Sequence, residues 1–177
     1  MNKLLNILKN DPEPNLSKFF YDSVCIDIYF DSKCLFKCKH CFLWKKKDNL
    51  KKISRNKIQN FLQNIKNSLN KNIEIVIGGD GMIELEPNLI FLLQLCSKYK
   101  FRTILASNGY LINRNLLFRL HKSGLDSLSF SLDYITAEKH DKQRGVKNSF
   151  SHIISLIDFV NQHNIKLGIG INCVIMK

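Results

Sequence analysis

Short apolar runs rich in β-branched residues alternate with segments of helical periodicity along most of the chain. The runs that predict strands are 24–30, 73–77, 102–106, 127–132 and 167–175. Between them, apolar residues recur every three or four positions, as in amphipathic helices. Because parallel strands need crossover connections, this alternation predicts an α/β fold with a mainly parallel sheet. We predict a partial (β/α) TIM-like barrel of about five parallel strands with helices outside; an open doubly wound sheet would give a similar pattern.

Capping and breaking residues mark the predicted helices. Ser54 is suited to begin the first helix and Asn113 the third, because their side-chain oxygens can accept a backbone N–H of the first turn. Pro87 can open the second helix, and Gly124 can end the third. A fourth helix is expected from the apolar spacing that begins at Phe150.

The chain divides into a short extension and one core. Residues 1–21 predict an N-terminal extension made of a short helix and a turn, and residues 22–177 predict the core. No apolar run reaches the length of a membrane span, so no membrane partner is expected. The net charge is +12, but the lysines that dominate it are scattered along the sequence, which makes nucleic acid an unlikely partner.

Three cysteines, Cys34, Cys38 and Cys41, lie on one segment directly after the first predicted strand. Thiolates at such short spacing favour an iron–sulfur cluster or zinc. A [4Fe–4S] cluster takes one thiolate per iron, so three thiolates would leave one iron open to a cofactor or substrate. A structural zinc ion would need a fourth ligand from His40 or a distant cysteine. The remaining cysteines lie in apolar segments and are expected to be buried: Cys25, Cys96 and Cys173.

The six cysteines are too few and too clustered for a disulfide framework. A reducing cytoplasm is therefore the compartment that we expect. In that compartment a tight cysteine cluster indicates a metal-binding or catalytic role.

Glycines and short polar side chains follow the next predicted strands. Gly78-Gly79-Asp80-Gly81 comes after the second strand, Ser107-Asn108-Gly109 after the third, and Ser129-Phe130-Ser131-Leu132-Asp133 lies on the fourth. In a barrel, functional residues belong at the carboxyl ends of the strands, where the cysteine segment also lies. Glycines let the backbone approach a ligand closely, and Asp80 offers a carboxylate acceptor.

The C-x₃-C-x₂-C spacing, with His40 before the last cysteine, resembles the signature of the radical SAM enzymes. The turn at 78–81 is similar to the Gly-Gly-Glu-Pro motif of that family, with Asp80 in place of Glu and Gly81 in place of Pro. The later motifs also resemble those of the family, and the likeness spans about residues 22–177. They are Ser107-Asn108-Gly109 for Thr-Asn-Gly, Ser131-Leu132-Asp133 for Ser-Leu-Asp, His140-Asp141-Lys142-Gln143-Arg144-Gly145 for His-Asp-x-x-Arg-Gly, and Asn172 for the asparagine near the cofactor.

The resemblance implies a [4Fe–4S] cluster on the three cysteines, with S-adenosylmethionine on the fourth iron. Reductive cleavage would give methionine and a 5′-deoxyadenosyl radical, which would abstract hydrogen from an unknown substrate, a peptide or a small molecule such as a cofactor precursor. An electron donor such as flavodoxin or ferredoxin is implied as a partner. The residues implied to bind the cofactor are His40, Phe42, Gly78, Gly79, Asp80, Ser107, Asn108, Ser129, Ser131, Asp133, Arg144 and Asn172.

The family core normally has six βα units, whereas this sequence carries five strand patterns. We therefore expect an incomplete catalytic core, whose activity as a single chain is an open question. Two alternatives stay open beside the enzyme. One is a non-catalytic or degenerate iron–sulfur protein, favoured by Asp80 and Gly81. The other is a zinc-binding module, for which the basic composition would be relevant.

Overall fold

The computed structural model describes residues 23–30, 33–45, 52–69, 72–79 and 81–175. Its five strands are β1 (Ser23–Phe30), β2 (Asn72–Gly79), β3 (Arg102–Ser107), β4 (Ser127–Ser131) and β5 (Gly168–Asn172). Its five α-helices are α1 (Arg55–Ser68), α2 (Leu89–Lys98), α3 (Arg114–Lys122), α4 (Ala137–Arg144) and α5 (Ser149–Gln162). Short 3₁₀ helices form at Leu43–Lys45 and Ile83–Leu85.

The strands form one sheet in the order β1-β2-β3-β4-β5, and every neighbouring pair is parallel. A doubly wound sheet reverses its strand order at a switch point, whereas a barrel wall adds each new strand on the same side. The sequential order therefore confirms the α/β fold of the partial (β/α) barrel type and excludes the doubly wound alternative.

Helices cover one face of this sheet, and the other face is more open. In β2, the side chains of Ile73, Ile75 and Ile77 are buried in a core shared with Leu62 of α1 and Leu93 of α2. Of the residues of β2 that point the opposite way, Glu74 and Val76 are half-buried, and Gly78, near the carboxyl end of the strand, is buried. Burial of each large aliphatic side chain contributes about 1.5–3 kcal/mol, so the helix-covered face holds the fold together.

The capping predictions for α1 and α3 are confirmed. Ser54 accepts a hydrogen bond from the N–H of Lys57 at the start of α1, and Asn113 accepts one at 2.8 Å from the N–H of Leu116 at the start of α3. Gly124 follows the end of α3 with a φ of +98°, a left-handed conformation that favours glycine. Local sequence chemistry thus decided where these helices begin and end.

Some predicted boundaries are wrong. The fifth strand ends at Asn172 rather than at 175. Pro87 does not open α2, because the 3₁₀ helix at Ile83–Leu85 occupies the preceding segment and Asn88 is the N-cap. Helix α4 was not anticipated, because its buried residues are polar and give no apolar periodicity.

Two of the three isolated cysteines are exposed instead of buried. Cys25 lies on the open face of the edge strand β1, and Cys173 follows β5 at the other edge, so neither is covered by a helix. Cys96 of α2 is fully buried, as expected. The predicted extension at residues 1–21 lies outside the described residues. Within the described ranges, no helix is long and apolar enough to cross a membrane.

Candidate functional site

A pocket lies at the carboxyl end of the sheet, where segments that follow four strands meet. Most of the residues predicted to form the site are brought together here. Those that line the pocket are Cys34, Cys38, His40 and Cys41 after β1, Gly78 and Gly79 at the end of β2, Ser107 and Asn108 at the end of β3, Ser131 of β4, and Arg144 of α4. Tyr29 of β1 also lines the pocket, which is therefore built from residues that are up to 115 positions apart in sequence.

The segment from Lys33 to Cys41, which we call the cysteine loop, is fixed at both ends by backbone hydrogen bonds. The carbonyl of Lys33 accepts from the N–H of Met82 at 3.0 Å, which ties the loop to the segment after β2. The N–H of Cys41 donates to the carbonyl of Cys38 at 3.2 Å and closes a turn. All three cysteines pack in one small cluster with Phe36 and Met82. These contacts hold the thiols on one side of the loop.

The carboxyl end of α4 packs against the cysteine loop. The carbonyl of Gln143 accepts from the N–H of Lys39 at 3.0 Å, and its side-chain amide lies 3.0 Å from Nδ1 of His40. Gly145 ends the helix with a φ of +69°, and a Cβ there would come within 2.9 Å of the Lys37 carbonyl oxygen. Only glycine allows both this conformation and this close approach. The segment 143–145 is thus shaped to fit the cysteine loop.

A buried ion pair connects α4 to the strand ends. Nε of Arg144 lies 2.7 Å from Oδ2 of Asp133, and Nη2 donates to Oδ1 at 2.8 Å. The same carboxylate accepts from the N–H of Val174 after β5 at 3.1 Å. Nη1 of Arg144 lies 3.9 Å from Sγ of Cys38. The guanidinium therefore holds a positive charge beside one thiol while Asp133 fixes its orientation.

His140 supports the same carboxyl residue through its ring. Nδ1 of His140 accepts from the N–H of Asp133 at 3.2 Å. Burial, together with the charge of Arg144, lowers the pKa of His140. The ring is thereby kept neutral, which leaves Nδ1 free to accept this bond.

The thiols differ in their electrostatic surroundings. Burial raises the pKa of Cys34 and of Cys38, while the nearby Arg144 charge acts in the opposite direction on both. Cys41 accepts a hydrogen bond on its sulfur from the N–H of Leu43 at 3.4 Å. Because metals bind thiolates, ligand binding at Cys34 and Cys38 would release protons that burial retains on the free thiols.

Glu84 was not identified from the sequence but lies beside the pocket. Its carboxylate accepts a hydrogen bond from the hydroxyl of Ser107, whose oxygen in turn accepts from the N–H of Gly109 at 2.8 Å. Burial raises the pKa of Glu84, and its Oε2 has no partner among the described residues. The available signal was an acidic residue in the short segment between β2 and α2, which sequence alone does not distinguish from a surface residue.

Other predicted residues lie around the pocket without lining it. Phe42 is 70% exposed, and Ser129 is buried within β4. Asp133 is buried in its pair with Arg144, and the carbonyl of Asn172 accepts from the N–H of Leu132 at 2.9 Å. Asp80 lies outside the described residues.

The donor set has the chemistry that an iron–sulfur cluster requires. Across the parts of the chain that the structure describes, no three His, Cys, Asp or Glu side chains are arranged around a single metal ion. Cluster ligands need not meet at one point, because each thiolate binds a different iron. Three thiols share one loop, with a guanidinium and a backbone N–H directed at their sulfurs. These groups stabilise negative charge on sulfur, so the residues fit a cluster.

The sequence matches a family model described as the radical SAM superfamily over residues 28–177. It is 31% identical over 98 residues to an AdoMet-dependent heme synthase of Oleidesulfovibrio alaskensis, covering 55% of this chain and 25% of that protein. It is 27% identical over 136 residues to the subtilosin biosynthesis protein AlbA of Bacillus subtilis, covering 75% of this chain and 29% of that one. The chain thus spans between a quarter and a third of the length of these relatives.

The fold is similar to that of solved structures. Streptococcus suis SuiB bound to S-adenosylmethionine superimposes with a TM-score of 0.64 at 21% identity, over 88% of this chain and 34% of that one. SuiB has also been solved with its precursor peptide SuiA, with a TM-score of 0.65 over 88% of this chain and 35% of that one, again at 21% identity. At this identity the likeness concerns the fold.

Proposed function

The chain belongs to the radical SAM superfamily, and on this premise we propose that Cys34, Cys38 and Cys41 hold a [4Fe–4S] cluster with one iron left for S-adenosylmethionine. One observation carries the proposal: the pocket is lined jointly by the three cysteines and by the polar carboxyl ends of β2, β3 and β4. The cysteines and the residues suited to hold an amino acid and a nucleoside thus face one space.

In this proposal the pocket residues bind and orient the cofactor. Gly78 and Gly79 bring the backbone of β2 close to the ligand, where carbonyls can accept from an amino group. Ser107, Asn108 and Ser131 supply hydroxyl and amide groups along the next two strands. The remaining predicted residues are proposed as supporting contacts. His40 and Arg144 line the pocket. Phe42, Ser129, Asp133 and Asn172 lie around it, and Asp80 lies outside the described residues.

A cluster held by Cys34, Cys38 and Cys41 would, when reduced, supply the electron for reductive cleavage of S-adenosylmethionine to methionine and a 5′-deoxyadenosyl radical, which would abstract hydrogen from the substrate. This chain provides position and shielding. The open face of the sheet is formed by β1 to β5. Its half-buried residues leave room for a substrate next to the pocket. Arg144 and the backbone N–H of Leu43 stabilise the negative sulfurs.

We propose a peptide or a small cofactor precursor as the substrate. This is supported by the named roles of two relatives, heme synthesis and subtilosin biosynthesis, and by the precursor peptide bound to SuiB. An electron carrier such as flavodoxin or ferredoxin is the proposed reductant. All six cysteines are unpaired, which suits a reducing cytoplasm.

Anaerobic reconstitution tests the proposal. The full chain is incubated with iron and sulfide, then with dithionite and S-adenosylmethionine, and 5′-deoxyadenosine is measured by chromatography. Release of 5′-deoxyadenosine is the expected result. Iron–sulfur absorbance without product would instead indicate a non-catalytic cluster protein. Stoichiometric zinc without that absorbance would indicate a zinc module.

A further inference from the structure

We infer that an acidic one-electron carrier protein docks on the lysine-rich surface formed where the cysteine loop packs against the end of α4. We define this basic face by Lys37, Lys39, Lys142 and Lys147, all of which are exposed. The inference rests on the proposed function, because the carrier's task is to reduce a cluster held by the neighbouring cysteines.

Backbone contacts bring the two halves of the basic face together. Lys39 donates its N–H to the carbonyl of Gln143, the residue after Lys142. The carbonyl of Lys37 is in close contact with Gly145, two residues before Lys147. Two lysines from the cysteine loop and two from the end of α4 are thus held on one surface, although about a hundred positions separate them.

The charge of this surface is not neutralised from within. None of the four lysines forms an ion pair with any of the described residues. Residues 33–45 and 137–148 together hold seven lysines and two acidic residues. The carboxylate of one of those acids, Asp141, already accepts hydrogen bonds from the N–H groups of Asn148 and Phe150 and from the hydroxyl of Ser149. The net positive charge therefore faces outward and is available to a partner.

The buried charge nearby behaves differently. Arg144 is paired with the buried carboxylate of Asp133, so it contributes little net charge to the surface. Leu35, which is 52% exposed, adds an apolar side chain on the same loop. The unpaired lysines around it would steer an acidic partner toward this surface by long-range attraction.

The basic face lies next to one of the proposed cluster ligands. Cys38 lies directly between Lys37 and Lys39, so a protein bound there sits over a proposed cluster ligand. In the transfer, the reduced carrier loses one electron and the oxidised cluster gains it; no covalent bond forms or breaks. The carrier is a flavin or iron–sulfur protein that arrives already reduced, and its one-electron oxidation supplies the electron.

A second lysine-rich region provides a matched control. Lys98, Lys100, Lys122 and Lys166 are also exposed, but they lie at the amino-terminal ends of β3, β4 and β5. That end of the barrel is opposite to the cysteine loop. A carrier bound there would be too far away to reduce the cluster, yet its long-range attraction to the protein would be similar.

The experiment uses a purified acidic flavodoxin and the full chain after anaerobic reconstitution. Two quadruple variants are compared with the unaltered chain: K37Q/K39Q/K142Q/K147Q and K98Q/K100Q/K122Q/K166Q. Flavodoxin affinity is measured by fluorescence anisotropy at an ionic strength of about 50 mM, where surface charges are only partly screened. The rate of cluster reduction is measured by stopped-flow absorbance with reduced flavodoxin and, separately, with dithionite.

We expect the basic-face variant to lose at least about tenfold in flavodoxin affinity and in the rate of reduction by flavodoxin, with reduction by dithionite unchanged. The control variant should change by less than about threefold. Equal losses in both variants, or no loss in the basic-face variant, would overturn the inference. A loss of affinity for a DNA strand of about 20 nucleotides, with flavodoxin binding intact, would assign the face to nucleic acid instead.

Failure of the proposed function is distinguishable from failure of this inference. If the unaltered chain takes up no iron and sulfide, the cluster proposal fails. Flavodoxin affinity of the cluster-free chain and of both variants then still decides whether the basic face binds an acidic carrier.

Discussion

Arg144 contacts the carboxylate of Asp133 through Nε and Nη2, at 2.7 and 2.8 Å, while its Nη1 lies 3.9 Å from Sγ of Cys38. Both partners of the pair are less than a tenth exposed. One guanidinium therefore joins the end of β4 to the cysteine loop. Its removal should affect both the stability of the chain and the electrostatics of any group held by the cysteines.

Replacing Arg144 with Gln should destabilise the chain by about 3–5 kcal/mol, because the Asp133 carboxylate would be left buried and unpaired. In R144Q/D133N that penalty should largely disappear. The reduction potential of a bound cluster should nevertheless fall in the double variant, by an amount on the order of tens of millivolts. Although the pair is neutral as a whole, its positive end, Nη1 of Arg144, is the end that faces the Cys38 sulfur. Urea unfolding and spectroelectrochemistry measure the two effects. An unchanged potential would reduce the role of Arg144 to a structural one.

Replacing Cys38 with Ala should abolish both iron–sulfur absorbance and 5′-deoxyadenosine release, because two thiolates cannot hold a cluster that takes one per iron. Cys25→Ala is the matched control, since Cys25 is exposed on the far side of β1 from the helices. Iron and sulfide per chain are measured after reconstitution. A full cluster in C38A would contradict the proposed ligand set.

Replacing Gly145 with Ala should cost about 1–2 kcal/mol in stability, because its φ is +69°. The added Cβ would also press on the Lys37 carbonyl and displace the cysteine loop. Gly124→Ala places left-handed backbone strain, at a φ of +98°, and a closer contact, 2.5 Å from Cβ of Ser97, at the opposite end of the sheet. Urea unfolding should show a loss in both variants, whereas only G145A should lose cluster. Equal cluster content in the two would show that the loop does not depend on this contact.

Asp141→Asn should lower stability by about 1–2 kcal/mol at neutral pH, because the carboxylate accepts three hydrogen bonds at the start of α5. Burial alone would raise the pKa of Asp141, but the hydrogen bonds from Phe150, Ser149 and Asn148 outweigh it and hold the pKa below its ordinary value. Such a group stabilises the fold above its unfolded-state pKa, and the benefit is lost as the pH falls through the folded-state pKa. The difference between variant and unaltered chain in urea unfolding should therefore be full from pH 5 to pH 7 and shrink below about pH 4. A difference that stays constant down to pH 3 would assign the effect to shape instead of charge.

The elements that sequence predicted well depend on local chemistry. Ser54 and Asn113 cap their helices through bonds to residues three positions away, so the pattern and the contact lie within one short window. The position of the cysteines after β1 followed from the apolar run that precedes them. The parallel pairing of successive strands followed from the helical connections between them.

What sequence did not predict depends on distant partners. Helix α4 buries His140, Gln143 and Arg144, whose polar groups contact Asp133 and the cysteine loop. A helix that buries polar side chains has no apolar stripe, so hydrophobic periodicity does not reveal it in the sequence. Glu84 is similar, because its burial depends on the approach of Ser107 from the next strand. The exposure of Cys25 reflects the edge position of β1, which a local apolar pattern does not encode.

The bond between Gln143 and His40 spans 103 positions, and this separation has a consequence for synthesis. At about 5–20 residues per second, the three thiols leave the ribosome roughly 5–20 seconds before the support that α4 provides. During that interval the three thiols lack this support and are accessible to oxidants and to other metal ions. Iron and sulfide delivered to the nascent chain would therefore reach a loop that has not yet taken its final shape. Cells that delay delivery until α4 has folded should recover more of the protein with a bound cluster.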